Sequence, residues 1–200
     1  MRITDRVMEN THAYRLWQAP YAERKFAPVL AHNDLRQVKR VLDVGCGPGT
    51  NAHHFAGSDY LGIDSNLGCI EYARRRYKRS FVLADVTRYT VAPGERFDFI
   101  LLNSFLHHVD TPDARRLLSH LRTLLTDDGH VHILDHVLPD RRSLARFLAR
   151  HDRGRFSRPR QEWLELVTGV FEPAVFEPYR LTALGVTLWH QVYFKGRAKR

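Results

Sequence analysis

Between Val41 and Phe55 the chain reads VLDVGCGPGTNAHHF, an apolar run holding one acid, Asp43, followed by Gly45, Gly47 and Gly49. Glycines at alternate positions let a backbone turn sharply and bring its N–H groups against a ligand with no Cβ in the way. A helix opening just beyond them would point its dipole at a negative group. Two further acids stand downstream, Asp64 at the end of YLGID and Asp85 after FVLA. At the first position a carboxylate can accept both hydroxyls of a ribose. At the second it can accept an N–H from an exocyclic adenine amine, with Val86 alongside to offer the ring an apolar contact or a backbone N–H. Asp43, inside an apolar run, suits a ligand carrying positive charge near the loop. Each downstream acid also has a plainer reading, Asp64 as a cap for a helix opening near Asn66 and Asp85 as the cap of a turn before Arg88. The G-x-G-x-G spacing, with Pro48 inside, departs by one residue from the dinucleotide fingerprint, so a dehydrogenase is a rival reading.

Histidines supply the second candidate chemistry: His107 and His108 in NSFLHHV, His136 in HILDHV, and His12 near the start. An imidazole titrates near neutral pH and can take a proton from an acceptor group. His107 and His136 are the candidate bases; for His108 the preferred reading is a hydrogen-bonded brace of its loop. Paired histidines also suggest a metal, but no H-x-x-x-H or H-E-x-x-H spacing accompanies them, so no metal is expected.

These residues need a frame. The patterns RVLDVG (40–45), YLGID (60–64), FVLADV (81–86), FDFILLNS (97–104) and HVHILDHV (130–137) read as buried strands. Helices are expected through about residue 56, over 66–78, and from a Thr111-Pro112 cap with Leu117, Leu118, Leu121, Leu124 and Leu125 on one face, stopping at Gly129. AVFEPYRL and VTLWHQVYFKG alternate around TALG as an antiparallel hairpin. Strands alternating with helices predict an α/β fold with a doubly wound, Rossmann-like sheet, its ligand at the carboxyl ends of strands one and four.

The chain has 200 residues, 44% of them hydrophobic, enough for one core and one domain. Within it, 1–36 reads as a helical lid broken at Pro20, 38–137 as a cofactor-binding core, 138–170 as a helical insertion over the acceptor site and 171–200 as the hairpin. No apolar run reaches the roughly 20 residues of a membrane span. Neither a secretory leader nor a disulfide framework is legible, which suits a cytoplasmic protein without a membrane partner. The formal charge of +9 rests on 26 Arg against 5 Lys. It raises nucleic acid as a partner, not favoured over a plain basic enzyme.

Taken in order, VLDVGCGPGT, YLGIDSN, FVLADV and FDFILLNSFLHHV resemble the class I S-adenosylmethionine-dependent methyltransferases, most closely their small-molecule members (type 11/12-like). That resemblance implies a seven-stranded sheet, mostly parallel, with an antiparallel C-terminal strand between strands five and six, and a cofactor leaving as S-adenosylhomocysteine. It places Gly45, Cys46, Gly47 and Gly49 along the methionine and ribose, Asp43 near the amino group, and Asp64 with Ser65 at the ribose. Asp85 and Val86 would take the adenine, packed by Leu67 and Cys69; Asn103 and Ser104 would border the methionine and the acceptor. The expected acceptor is a small aromatic or polar metabolite methylated at O or N, held by a monomer or homodimer. Tyr14, Trp17, Tyr21 and Phe26 would close over it as an aromatic lid, with His108 and Arg155 or Arg158 as further contacts. An RNA methyltransferase using the Arg-rich 141–160 segment is the alternative, and a non-catalytic binding module the third reading.

Overall fold

The computed structural model describes residues 11–152 and 154–199, with side chains from Tyr21 onward. Five strands, β1 (Arg40–Val44), β2 (Asp59–Asp64), β3 (Ser80–Leu83), β4 (Phe97–Asn103) and β5 (Leu125–Val137), run parallel. Two more, β6 (Phe171–Ala183) and β7 (Val186–Ala198), form a hairpin. The order is β3-β2-β1-β4-β5-β7-β6, with β7 antiparallel to both neighbours. Winding leaves β1 in one direction for β2 and β3 and in the other for β4 and β5, so a crevice opens above the carboxyl ends of β1 and β4.

Helices α1 (Thr11–His32) and α2 (Leu67–Arg76) cover one face of the sheet, α3 (Thr111–Thr123) and α5 (Arg160–Thr168) the other, and α4 (Leu144–His151) lies against β7. β1 shows why both faces fill. Val41 packs with Phe26, Phe55, Tyr60 and Phe99, while Leu42 and Val44 pack with Ile100, Leu118 and Trp163. Strands apolar on both sides are the mark of a sheet buried by helices. The hairpin turns through Leu184 and Gly185, both at positive φ, as a tight two-residue connection requires. Pro173 and Pro178 are tolerated because β6 is the edge strand.

Several boundaries differ from the sequence reading. α1 continues through Pro20, because Phe26 and Val29 anchor its later turns in the core. After the glycine loop there is only a 3-10 turn, Ala52–Phe55, so no long helix dipole faces the loop. β3 ends at Leu83, three residues early. α3 is capped by Asp110, which accepts the Asp113 N–H at 2.8 Å, and it closes at Thr123. Gly129 therefore stops no helix; it lies within β5, where a Cβ would stand 2.8 Å from the Phe97 carbonyl. The segment 138–170 is not all insertion, since Trp163, Leu166 and Val167 of α5 belong to the main core.

Candidate functional site

Asp43 ends the first layer of the crevice. It is wholly buried; its Oδ2 accepts from the Tyr60 hydroxyl at 2.6 Å and from Asn51 Nδ2 at 3.4 Å, and its Oδ1 has no partner. Burial pushes its carboxyl up to about 6, against the pull of those two hydrogen bonds, with Asp64 adding to the rise. Asn51 Oδ1 accepts from Asn103 Nδ2 at 3.2 Å, and Asn103 Oδ1 is likewise buried without a partner. Two orphaned acceptors thus stand at the ends of β1 and β4, and a buried acceptor left unpaired is costly.

The loop glycines divide their work. All three sit at positive φ. A Cβ on Gly45 would lie 2.4 Å from the Phe105 ring, and one on Gly49 3.0 Å from Phe81, so those two admit neighbouring aromatics. Gly47 has nothing within 4 Å on that side, and its N–H donates to Asp64 Oδ2 at 2.8 Å. Asp64 Oδ1 accepts the Asn66 N–H at 2.8 Å, so the carboxylate is held rigidly beside open space. Asn66, not Asp64, is the helix cap, accepting the Cys69 N–H. Leu83, in register with Asp64, and Leu67, opening α2, leave apolar side chains exposed beside it; Ser65 is exposed between them. Asp85 is exposed and its Oδ1 accepts both Thr87 N–H and Thr87 Oγ–H, the turn-capping role. Two placements differ from expectation. Cys46 faces the core, where its Sγ would crowd a Cβ on Gly62, and burial raises its thiol pKa; Val86 is buried in the main cluster. Either can meet a ligand only through its backbone.

Beyond β4 the chain forms a second group. Ser104, at φ 57, receives Lys25 Nζ on its hydroxyl, and Lys25 is buried. Burial lowers the lysine pKa, opposed by the charges of Asp135 and Asp152. His107 Nδ1 lies 2.6 Å from Asp135 Oδ1, and the backbone N–H groups of His107 and His136 donate to the same carboxylate. Burial alone would raise Asp135, but His107, with His136 and Lys25 behind it, holds the carboxyl well below the usual range. His136 Nε2 meets Ser157 Oγ at 2.7 Å. Burial and the neighbouring His107 lower its pKa, opposed by Asp135 and Asp152, which favours a neutral ring.

The methyltransferase domain family matches residues 13–184. The trans-aconitate 2-methyltransferase of Delftia acidovorans is 31% identical, the match covering 85% of this chain and 68% of that protein. The ubiquinone biosynthesis O-methyltransferase of Actinobacillus pleuropneumoniae is 33% identical, but there the match spans only 43% of the relative's length. The chain belongs to the methyltransferase family. In fold it resembles the N-methyltransferase NodS of Bradyrhizobium japonicum, solved with S-adenosylhomocysteine, at TM-score 0.74 and 16% identity over 98% of this chain and 96% of that one. It is a class I enzyme that uses S-adenosylmethionine.

This methyltransferase's crevice fits that cofactor on its own evidence. The orphaned oxygens of Asp43 and Asn103 suit donors such as an ammonium group, Gly47 leaves room where a side chain would stand, and Asp64 fixes two carboxylate oxygens beside it. On the acceptor side several expected contacts fall elsewhere. Phe26 is not a lid; it is a core residue stacked on His54. Arg158 is buried and donates to Leu106 O, Val109 O and Thr111 Oγ1, so it braces the turn after β4 and is not available to an acceptor. The buried brace histidine is His107; His108 is exposed, its ring 4.0 Å from that of His107. Arg155 is exposed and Tyr21 half-buried. The Tyr14, Trp17 and His12 side chains lie outside the described residues. Asn51, Lys25, Asp135 and Asp152 escaped the sequence reading. Of these only Asp135 carried a signal, an acid inside the apolar HILDHV.

Proposed function

We propose that this methyltransferase alkylates an oxygen or nitrogen of a small polar acceptor, one able to present a carboxylate to Lys25. The carrying observation is the convergence of Asp64, open Gly47 and the two orphaned oxygens on one side of the β1–β4 crevice, with Lys25, Ser104, His107 and His136 on the other. Asp43 and Asn103 would hold the amino-acid end of the cofactor and Asp64 its ribose, with Leu67, Leu83 and Asp85 at the base. When bound, the sulfonium supplies an electrophilic methyl group. The chain's own task is alignment, which at full effect contributes roughly 7–11 kcal/mol. Asn103 and Ser104 end β4 between the two halves and are the groups placed to set that line. Lys25, a buried cation, pairs most favourably with an anionic acceptor. His107, its Nδ1–H held by Asp135, presents Nε2, and His136 presents Nδ1; an unprotonated ring nitrogen can accept a proton or bind a Lewis acid.

Two supports come from relatives, one named for trans-aconitate and one for ubiquinone biosynthesis. The nucleic-acid reading gains no observation: within 141–160, Arg146 donates to the Pro139 carbonyl and Arg158 is buried, so neither is free for a phosphate, while Arg141, Arg142, Arg150, Arg155 and Arg160 are exposed. Among the described residues no helix is long and apolar enough to cross a membrane.

The test is calorimetric titration with S-adenosylhomocysteine, followed by a screen of di- and tricarboxylic acids, phenols, quinols and amines read by product mass. One added CH₂ on a carboxylate-bearing acceptor, with Lys25→Met raising its KM and sparing S-adenosylhomocysteine binding, is the expected result. Turnover confined to uncharged acceptors, or to RNA with a steep salt dependence, would overturn it.

A further inference from the structure

Three side chains on the acceptor side converge. His107 lies in the turn after β4, His136 near the end of β5, and Asp152 just past α4. His107 Nε2 stands 3.4 Å and His136 Nδ1 3.8 Å from Asp152 Oδ2, and the three atoms all lie within 4.8 Å of one another.

Both rings are oriented through their other nitrogens. Asp135 is an acceptor only, so the contact at 2.6 Å puts a proton on His107 Nδ1 and turns Nε2 toward Asp152. The single Ser157 hydroxyl proton is donated to the Ala149 carbonyl at 3.1 Å. Ser157 Oγ also meets His136 Nε2 at 2.7 Å, which turns His136 Nδ1 toward Asp152. Two ring nitrogens and a carboxylate oxygen thus face one another, a donor set that suits a divalent ion. The 3.4 Å separation is too long for a charge-assisted hydrogen bond and matches tetrahedral ligand spacing, and the 3.8 Å one lies just beyond it. A charge-assisted hydrogen bond would draw donor and carboxylate to about 2.7–2.9 Å. An ion bound tetrahedrally at about 2.0–2.2 Å sets its ligands roughly 3.3–3.5 Å apart.

We propose that His107, His136 and Asp152 bind one divalent transition-metal ion of the zinc class. Asp135 and Ser157 are its positioning groups, each fixing the outer nitrogen of one histidine, the arrangement that orients ligands in metal sites generally. The segment carrying Asp152 is pinned there: Phe156 N–H donates to His107 O at 3.0 Å, and any Cβ on Gly154 would collide with the His107 ring. Three protein ligands leave a coordination position open. On the methyl-transfer reading that position receives an oxygen or nitrogen of the acceptor; the binding of the ion itself does not depend on that reading. The ligands come from three elements far apart in sequence, which is why no local spacing announced them and why the sequence predicted no metal.

The test uses the full chain stripped with a chelator and titrated with Co²⁺, read by visible absorption and by calorimetry. One ion per chain and intense ligand-field bands are expected. Asp135→Asn should weaken binding at least tenfold, the range seen for positioning groups, and Asp152→Asn, which removes a charged ligand, by more. Asp152 is partly exposed, so Asp152→Asn should fold; circular dichroism checks this, and S-adenosylhomocysteine calorimetry on the same samples reports separately on the cofactor groove. An exposed group, Glu23, His53 and His54, is a possible decoy, so His53→Ala is included and should leave the bands intact. Absence of bands at millimolar Co²⁺, or a signal that survives Asp152→Asn and vanishes in His53→Ala, would overturn the proposal.

Discussion

Replacing Asp43 by asparagine separates the cost of a buried charge from its use. Burial, outweighing the bonds to Tyr60 and Asn51, pushes the Asp43 carboxyl up to about 6 from its ordinary 3.8. Between those two values the folded chain keeps a proton that the unfolded chain has lost. Stability therefore falls as pH rises through about 4 to 6 and levels off above. Two pKa units correspond to ~3 kcal/mol by pH 7.5, of which ~1.5 kcal/mol is already incurred at pH 5. Asparagine carries no charge and still accepts from Tyr60, but it sets an unpaired amide N–H where Oδ1 stands, costing ~1–2 kcal/mol. Asp43→Asn should thus gain ~1–2 kcal/mol in unfolding free energy at pH 7.5 and close to nothing at pH 5. Urea unfolding at both pH values measures the difference. In the same variant S-adenosylhomocysteine should bind roughly 10- to 100-fold more weakly at pH 7.5, the loss of a hydrogen bond between charged groups. Wild-type affinity should fall as pH drops below about 6, where Asp43 becomes neutral, and the variant's should not. An equal stability margin at the two pH values, or wild-type affinity flat from pH 5 to 7.5, would refute the placement of a cationic ligand group at this carboxylate.

Asp64→Ala should weaken S-adenosylhomocysteine binding by more than about 1.5 kcal/mol in calorimetry, since it removes two fixed acceptors from the open side of Gly47. Gly47→Ala meets open space and bears only the strain of positive φ, ~1–2 kcal/mol in thermal unfolding, yet should lower cofactor affinity at least tenfold. Gly45→Ala, whose Cβ would strike Phe105, should instead lose ~2 kcal/mol or more of stability. Arg158→Ala should destabilise by ~2 kcal/mol, since the Val109 carbonyl loses its side-chain donor while Leu106 O keeps the Val109 N–H, with acceptor KM affected only as far as the turn after β4 loosens.

The parallel sheet was legible because each strand from RVLDV to HILDHV is apolar on both faces and is punctuated by glycine or a cap. The place of β7 between β5 and β6 came only through family resemblance, since nothing in VTLWHQVYFKG states which strand it will join. Boundaries failed where tertiary packing overrode a local breaker: Pro20 lies in a helix held by Phe26 and Val29, and Gly129 lies in a strand. In the site, residues signalled by chain-local pattern, Asp43, Asp64 and the glycines, sit together at the crevice. Those that act through distant contacts were not legible. Lys25 is one lysine in an amphipathic helix, and Asp152 one acid among arginines; only the fold brings both beside β4 and β5. Arg158 shows the converse, an arginine that looked available until its three acceptors were seen.

Among the described residues, the two buried acids within strands have opposite fates, and the contrast locates the demand for a ligand. Asp135 accepts from two backbone N–H groups and a histidine ring, and its pKa is driven down. Asp43 has one strong donor, one long one and a bare oxygen, and its pKa is driven up. A satisfied carboxylate serves its neighbours, and removing it disturbs whatever they hold. One left short of donors at the mouth of a crevice is unstable alone and is relieved by a cation delivered from outside. On this argument positive charge enters the site in two places for different reasons, as a ligand's ammonium at Asp43 and as an ion beside the histidine that Asp135 orients. Neutralising Asp43 should therefore change cofactor affinity and leave Co²⁺ binding alone, and Asp135→Asn should do the reverse.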